Sequence, residues 1–548
     1  MRPIISKTDH RQENAQLSRL RFAIGNETEQ RQPFEGFEAE IGRFDPDGAN
    51  ALMFQSDWGR EMTPVWQRAA GTEIAVTSGR ACKGFAPWVF VREKSGKWLF
   101  FALETFGNWR LAMRVDGRVV FSCDPAMLRG ELAPGERIDV GGALTAQAED
   151  YSALCAGVCQ YLRKTLPETR MDPAIVSFNH WWPYEDAEVN EEIVLANAQL
   201  AREMGIDLVV LDAGWFGDPQ KGADWTRQRG DWASVNLERF PHGLAWLAEQ
   251  IHAMGMKFGL WLEPEGMGEE SKLRRTHPQW EATRKEGLPQ PYLCLGAQGA
   301  KQWLLGEISR LIELTQADYL KLDFNVDPGF GCDRCDHGHQ SGMGLWAHMK
   351  NYAALLDDLR AKYPRLIIEN CSSGGMRLDL TMLSHTDVSF LSDPDESDHS
   401  LQVFLWQNFL PPERLLHWAW SRTREYTDGS HVFPSLAHEQ LKQHAGAAML
   451  HPFGFSRDLT GMTPAQRGEI AGMIRRYREK IAPLVKNGQV SLLTPPPLRQ
   501  NRTDDGRGIS FTGSACRCIL ESKKGAACLA YSRDGAKIQL INQEEFPQ

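Results

Sequence analysis

A multidomain α/β and β chain is predicted: a central (β/α)8 TIM barrel with an N-terminal β-sandwich and a short C-terminal β region. Three observations predict it. Short alternating apolar runs divided by turn residues fill the first 165 residues. From about residue 170, apolar strand-like runs alternate with helical periodicity, the rhythm of βα units on a parallel sheet. Past about residue 485 the pattern turns β-like again.

The expected domains are 1–165, 166–485 and 486–548. In the first, Trp88-Val89-Phe90-Val91 and Lys97-Trp98-Leu99-Phe100-Phe101-Ala102 read as strands, with turns at Asp116-Gly117 and Pro134-Gly135. That spacing makes an all-β sandwich. Ser56-Asp57-Trp58-Gly59-Arg60-Glu61 is polar around an aromatic centre, and Asp57 and Trp58 are candidates to reach a neighbouring site. In the second domain the strand candidates are Ile175–Asn179, Leu208–Ala213, Lys257–Glu263, Tyr319–Phe324, Leu366–Asn370, Val388–Leu391 and Leu415–Trp420, with a weaker eighth at Ala445–Leu450. Helical stretches at Glu191–Met204, Leu244–Met254, Ala300–Leu314 and Leu345–Tyr363 fall between them. An open doubly wound sheet, the alternative, wants a Gly-rich nucleotide loop after an early strand, and the sequence has none. In the third domain Pro495-Pro496-Pro497 marks a linker or sharp turn before an abbreviated β region.

Composition narrows the function. The chain of 548 residues is 42% hydrophobic and 24% charged, ordinary for a globular enzyme. Its formal charge of −10 disfavours a nucleic-acid surface. No apolar run reaches membrane-spanning length. The polar stretch Met1 to Leu20 has no signal-peptide core, and the 11 cysteines are scattered and odd in number. Both features lead to the expectation of reduced thiols in the cytoplasm. The 18 Trp tilt the reading toward sugar, because an aromatic face packs against the C–H face of a pyranose ring.

Chemistry gathers at the strand ends. Lys321 and Asp323 alternate with Leu320, Leu322 and Phe324, so both point to one face of an apolar strand. Either the pair fixes strand register, or the ammonium holds a reactive carboxylate ionised at the end where barrels place their chemistry. The neighbouring ends decide for the second. They carry Asn179, then Asp212-Ala213-Gly214-Trp215, Trp261-Leu262-Glu263, Asn325, Glu369-Asn370-Cys371 and Ser392-Asp393. Converged, these form a polar pocket with stacking walls, which suits a polyhydroxylated ligand or a metal. For a metal, Cys332-Asp333-Arg334-Cys335-Asp336-His337-Gly338-His339 has zinc-like Cys-x2-Cys spacing. A second ligand pair at conventional spacing is missing, so neither metal nor cofactor is expected. The segment from Pro328 to Gly344 reads instead as a Gly-rich loop over the barrel mouth.

These motifs resemble glycoside hydrolase family 36, the α-galactosidase family, of the clan shared with families 27 and 31. Lys321-Leu322-Asp323-Phe324-Asn325 is similar to that family's Lys-Trp-Asp-Met-Asn. Glu369-Asn370-Cys371-Ser372-Ser373-Gly374-Gly375, followed by Arg377 and Asp379, matches a second motif. Further agreement lies in Leu211-Asp212-x-Gly214-Trp215-Phe216-Gly217, Gly230-Asp231-Trp232, Phe240-Pro241-x-Gly243-Leu244 and Gly259-Leu260-Trp261-x-Glu263-Pro264-Glu265. The resemblance covers roughly residues 50–490. It implies retaining hydrolysis of α-glycosides through a covalent glycosyl-aspartate, with Asp323 as nucleophile and Asp393 as acid/base. It further implies that Asp212, Trp261, Lys321, Asn325, Cys371 and Gly374 contact the sugar in the −1 subsite; Trp215 joins them as a substrate-binding candidate. An oligosaccharide or glycoside is the implied partner, and a homo-oligomer is compatible with it.

The sequence departs from the family pattern in three places. Ala213 stands where a second Asp is usual, Pro291-Tyr292-Leu293-Cys294-Leu295 lacks the preceding Arg, and Pro394-Asp395-Glu396-Ser397-Asp398-His399 replaces Asn-Thr-Asp-Ala. The alternatives are therefore an α-glycosidase for another sugar, such as an α-N-acetylgalactosaminidase, a raffinose-type transglycosidase, and, in another class, a non-catalytic carbohydrate-binding protein.

Overall fold

The structure, a computed structural model, describes residues 3–12, 15–221, 224–287, 291–393, 397–420, 438–494, 498–501, 509–512, 515–532 and 535–541. Pro394, Asp395 and Glu396 and the Pro495–Pro497 linker named above lie outside them.

The N-terminal region is a sandwich. A large antiparallel sheet runs through Pro3–Gln12, Ala15–Gly25, Arg137–Ala148, Trp98–Glu104, Trp88–Arg92, Asn50–Ser56 and Thr63–Arg68. It faces a four-stranded sheet of Phe37–Arg43, Arg118–Cys123, Trp109–Met113 and Thr72–Val76. Strand alternation divides its side chains between two cores. Val89, Val91, Phe101 and Leu103 fill the sandwich, while Trp88, Phe90, Phe100 and Ala102 face the barrel. There Phe409 receives Phe100 and Trp88 at ring-centroid distances of 4.9 and 5.2 Å. Burial on both faces explains why the central strands Trp88–Arg92 and Trp98–Glu104 are apolar at nearly every position.

The all-β reading of residues 1–165 is corrected at its end, where α1 (Tyr151–Thr165) is a helix. Asp150 caps it, accepting from the Ala153 N–H at 2.8 Å. Leu154, Val158, Tyr161 and Leu162 bury one face, the i, i+4 spacing of an amphipathic helix.

Eight parallel strands then close a barrel: β1 (Val176–Asn179), β2 (Leu208–Leu211), β3 (Lys257–Leu262), β4 (Tyr319–Leu322), β5 (Ile367–Asn370), β6 (Val388–Phe390), β7 (Leu415–Trp420) and β8 (Phe453–Ser456). The predicted helices are found as α2 (Glu191–Met204), α3 (Gly243–Ala253), α4 (Ala300–Thr315) and α5 (Gly344–Lys362). The first seven predicted strands agree to within a residue or two at each end. The eighth does not. Ala445–Leu450 belongs to helix α6 (His438–Ala448) and the turn after it, and the closing strand is Phe453–Ser456. Gly454 is why that strand escaped notice. It pairs with Ser177 across the closing seam, where a Cβ would fall 2.1 Å from Ser177 Oγ. The seam requires the residue that weakens the strand signal.

Past residue 485 a four-stranded antiparallel sheet forms from Gln489–Leu492, Ala515–Ser522, Gly525–Ser532 and Gly535–Ile541. Its Cys518, Leu520, Ala527 and Leu529 extend the barrel core beside Leu484 and Val485. All eleven cysteines are free thiols, as the odd, scattered count suggested. Among the described residues no helix is long and apolar enough to cross a membrane.

Under the barrel mouth lies a buried ion cluster. Arg377, with no exposed surface, bonds Glu265 through Nη1 at 2.8–2.9 Å. The guanidinium also stacks over Tyr352 at 4.5 Å and Phe324 at 4.9 Å. His348 Nε2 meets the same carboxylate at 2.8 Å. Arg377→Met leaves the Glu265 charge buried without its cation and is expected to destabilise the fold by about 3–5 kcal/mol. Urea unfolding followed by Trp fluorescence reads this directly. A change below about 1 kcal/mol refutes the cluster's role.

Candidate active site

The C-terminal ends of the barrel strands converge as predicted, and β4 carries the centre. Lys321 reaches not toward Asp323 but to Asp212, at the end of β2, with Nζ 3.1 Å from Oδ2. Both side chains are buried. The ammonium also lies 4.0 Å from the Trp418 ring centroid and 4.8 Å from that of Phe390. Burial works against its charge, but Asp212 and then further acidic neighbours outweigh that and raise the Lys321 pKa above the ordinary value. Asp212 is held in turn by Asn179 Nδ2 at 2.7 Å and by the Ala213 N–H at 2.9 Å. His180 Nδ1 accepts the Asp212 N–H at 3.1 Å.

Asp323 is gripped by N–H donors. Oδ2 accepts from Asn325 Nδ2 at 2.9 Å and Trp261 Nε1 at 3.3 Å. Oδ1 accepts from the backbone of Phe324 at 2.8 Å and of Ser373 at 3.0 Å. A carboxylate uses four such donors, whereas a carboxylic O–H has no acceptor among them. Asn325 is oriented by Glu263, which accepts from its backbone and its amide at 3.1 and 2.9 Å. Arg229 compensates Glu263 at 2.7 Å inside the protein. Behind Trp261, Trp215 has no exposed surface and donates its indole N–H to the Trp261 carbonyl at 3.1 Å. Trp215 therefore supports the pocket wall rather than presenting a face to a ligand.

The turn after β5 joins Asp323 to Asp393. Ser373 and Gly374 both adopt left-handed backbone, with φ of 45° and 78°. For serine this is strained, and such strain collects at functional sites. Here it aims the Ser373 N–H at Asp323. At Gly374 a Cβ would lie 2.8 Å from the Asp393 nitrogen and 3.1 Å from Glu61 Oε1, so only glycine fits. Cys371 is fully buried before this turn, and burial, then the Asp323 charge, pushes its thiol well above the ordinary range. Asp393 follows β6. Burial first, and then the negative charge of Asp323, raises its carboxyl to about 7.

The N-terminal domain completes the pocket. Trp58, 42% exposed, donates Nε1–H to Asp393 Oδ2 at 3.2 Å. Asp57 is exposed, and its carboxylate accepts from the Trp58 N–H at 2.9 Å. Sequence reasoning missed Glu61 and Arg80. Buried Glu61 accepts from Ser392 Oγ and meets His399 Nε2, both at 2.9 Å. It thereby fixes the segment that carries Asp393. Arg80 donates to Ser373 Oγ at 2.9 Å and pairs with Asp327 at 2.7 Å. Glu61 belongs to the segment flagged as reaching outward, but Arg80 has no local signal at all. Among the described residues, the one gathering of three or more metal-capable side chains is Cys294, Cys332, His337 and His339, apart from these carboxylates.

The sequence and the fold have counterparts in known proteins. The family model described as Melibiase matches residues 151–488. The chain is similar to α-galactosidase AgaA of Geobacillus stearothermophilus, 28% identical over 332 residues, 58% of this chain and 42% of that protein. It is also similar to α-galactosidase Mel36A of Lactobacillus acidophilus, 26% identical over 306 residues, 54% and 40% of the two chains. The chain thus spans about two fifths of the length of these curated relatives. The solved structure of the GH36 α-galactosidase AgaA superposes with a TM-score of 0.80 at 20% identity, over 99% of this chain and 74% of that one. The α-galactosidase of Lactobacillus brevis superposes at 0.76 and 18%, over 97% and 76%; both establish the common fold. Because the matched region takes in more than half of the sequence, and the strand-end motifs stand in one pocket, the chain belongs to the Melibiase family, glycoside hydrolase family 36.

Proposed function

We propose that the protein is a retaining α-glycoside hydrolase, α-galactosidase-like, that releases a terminal α-linked sugar through a covalent glycosyl-aspartate. The observation that carries the proposal is a pair of carboxyl groups in contrasting environments on two sides of one turn. Asp323 is surrounded by N–H donors, and Asp393 is raised to about 7. A carboxylate that attacks and a carboxylic acid that protonates are what double displacement requires.

In the first step Asp323 attacks the anomeric carbon as Asp393 gives its proton to the departing glycosidic oxygen. Forming the ester removes the Asp323 charge, which eases ionisation of Asp393. In the second step Asp393 takes a proton from water, the hydroxide oxygen bonds to the anomeric carbon, and Asp323 leaves as carboxylate. In this reading Lys321, Asp212 and Asn325 bind hydroxyls of the sugar in the −1 subsite. Trp58 offers an aromatic face at the rim. Galactose is the first expectation, since the relatives above are named α-galactosidases and solved neighbours hold raffinose and stachyose.

Ala213 favours a second reading. It offers a methyl group where a second carboxylate is usual, and a charged hydrogen bond to a hydroxyl contributes about 1.5–3 kcal/mol. Its loss is enough to move preference toward another sugar, such as an α-N-acetylgalactosaminide, or toward raffinose-type transfer. Aryl α-glycosides of several sugars, ranked by kcat/KM, decide the glycone. Proton NMR of the first-formed product is expected to show the α-anomer. Release of the β-anomer first overturns the double displacement, and binding without turnover of any glycoside overturns catalysis.

A further inference from the structure

Sequence spacing led to no metal, because the Cys332–His339 segment lacks a second ligand pair. The fold supplies the missing member from the preceding βα loop. Cys294 lies between β3 and α4, whereas Cys332, His337 and His339 lie between β4 and α5. Their four ligand atoms fall within 4.8 Å of one another. His337 Nδ1 is 3.5 Å from Cys332 Sγ, and His339 Nε2 is 3.4 Å from Cys294 Sγ. Zn–S bonds of 2.3 Å and Zn–N bonds near 2.0–2.1 Å at tetrahedral angles put S and N about 3.6 Å apart. Both observed separations therefore match edges of a zinc tetrahedron.

The rings are oriented for it. His337 turns Nε2 to the Gln279 carbonyl at 2.7 Å, and His339 turns Nδ1 to the Gln340 carbonyl at 3.0 Å. A carbonyl accepts only an N–H, so each remaining nitrogen carries a lone pair toward the thiols. This is the orientation that backbone carbonyls give metal-bound imidazoles. The loops are also brought into close contact. The Gly338 N–H bonds the Gly296 carbonyl at 2.8 Å, and a Cβ at Gly296 would fall 2.5 Å from the His339 ring. Cys294 and Cys332 have no exposed surface, and His337 is nearly as buried.

The geometry points to a structural zinc site formed by Cys294, Cys332, His337 and His339, which cross-links the loops after β3 and β4 beside the catalytic strand. Two thiols lose their protons to solvent on binding, so two thiolates neutralise one Zn²⁺ and the buried site carries no net charge. With four protein ligands it has no open position for substrate. Its reach to the pocket is through packing: Tyr292, two residues before Cys294, faces Phe324 at a centroid distance of 6.4 Å. The inference is independent of the glycosidase reading.

Metal analysis of the purified full chain is expected to find about one zinc per chain, falling at least tenfold in Cys294→Ser and Cys332→Ser. Should these variants fail to fold, the wild type is loaded with Co²⁺ in place of zinc. The expected spectrum has intense tetrahedral d–d bands and thiolate-to-cobalt charge transfer. Zinc is also expected to protect Cys294 and Cys332 from alkylation while the exposed Cys335 reacts. Weak octahedral cobalt bands, zinc retained in the serine variants, or an intact mass lower by two hydrogens from a Cys294–Cys332 disulfide overturns the site.

Discussion

Asp323→Ala is expected to lower kcat on an aryl α-galactoside by about 10⁴-fold or more, with the folded state retained by circular dichroism. Four N–H donors converge on this carboxylate, one of them the Ser373 N–H of the turn after β5. Azide added to the variant can occupy the vacated volume and attack the anomeric carbon from the face that Asp323 used. The expected product is the β-glycosyl azide, which the enzyme does not turn over. Should azide return neither activity nor this product, Asp323 is not the nucleophile.

For Asp393→Ala the expectation depends on the leaving group. Glycosides with sugar or alkyl aglycones should lose about 10²–10⁴-fold, because general acid catalysis contributes that much where the departing oxygen must be protonated. Activated aryl glycosides should lose less in the first step, and azide should yield the α-glycosyl azide by attack on the glycosyl-enzyme. The pH profile gives a second readout. The acid must be protonated in the free enzyme, and its carboxyl is raised to about 7 by burial and by the Asp323 charge. Wild-type kcat/KM should therefore fall as pH rises through about 7, and that limb should vanish in the variant. A basic limb that survives the substitution assigns the proton to another group.

Part of this was legible in the sequence. Barrel strands announced themselves through apolar runs bounded by polar ends, and helices α2 to α5 through their periodicity, because both signals are local. Phe453–Ser456 was not legible, since closing the barrel at Gly454 demands a residue that erases the strand pattern. Helix α1 was missed because its apolar face follows directly on a β domain.

The candidate site divides in the same way. By itself the sequence determined that Asp323 and Asp393 end two strands of one barrel and that the polar ends converge, since a parallel barrel brings all its C-terminal ends to one face. Only the tertiary structure decided how the charges pair. Lys321, on the same strand face as Asp323, goes instead to Asp212. Glu61 and Arg80 arrive from another domain to fix Ser392 and Ser373. Cys294 meets a His-rich loop from the next βα unit. Electrostatic and hydrogen-bond energies depend on separation in space and on burial. Residues far apart in the chain therefore show their partners only once the strands have closed.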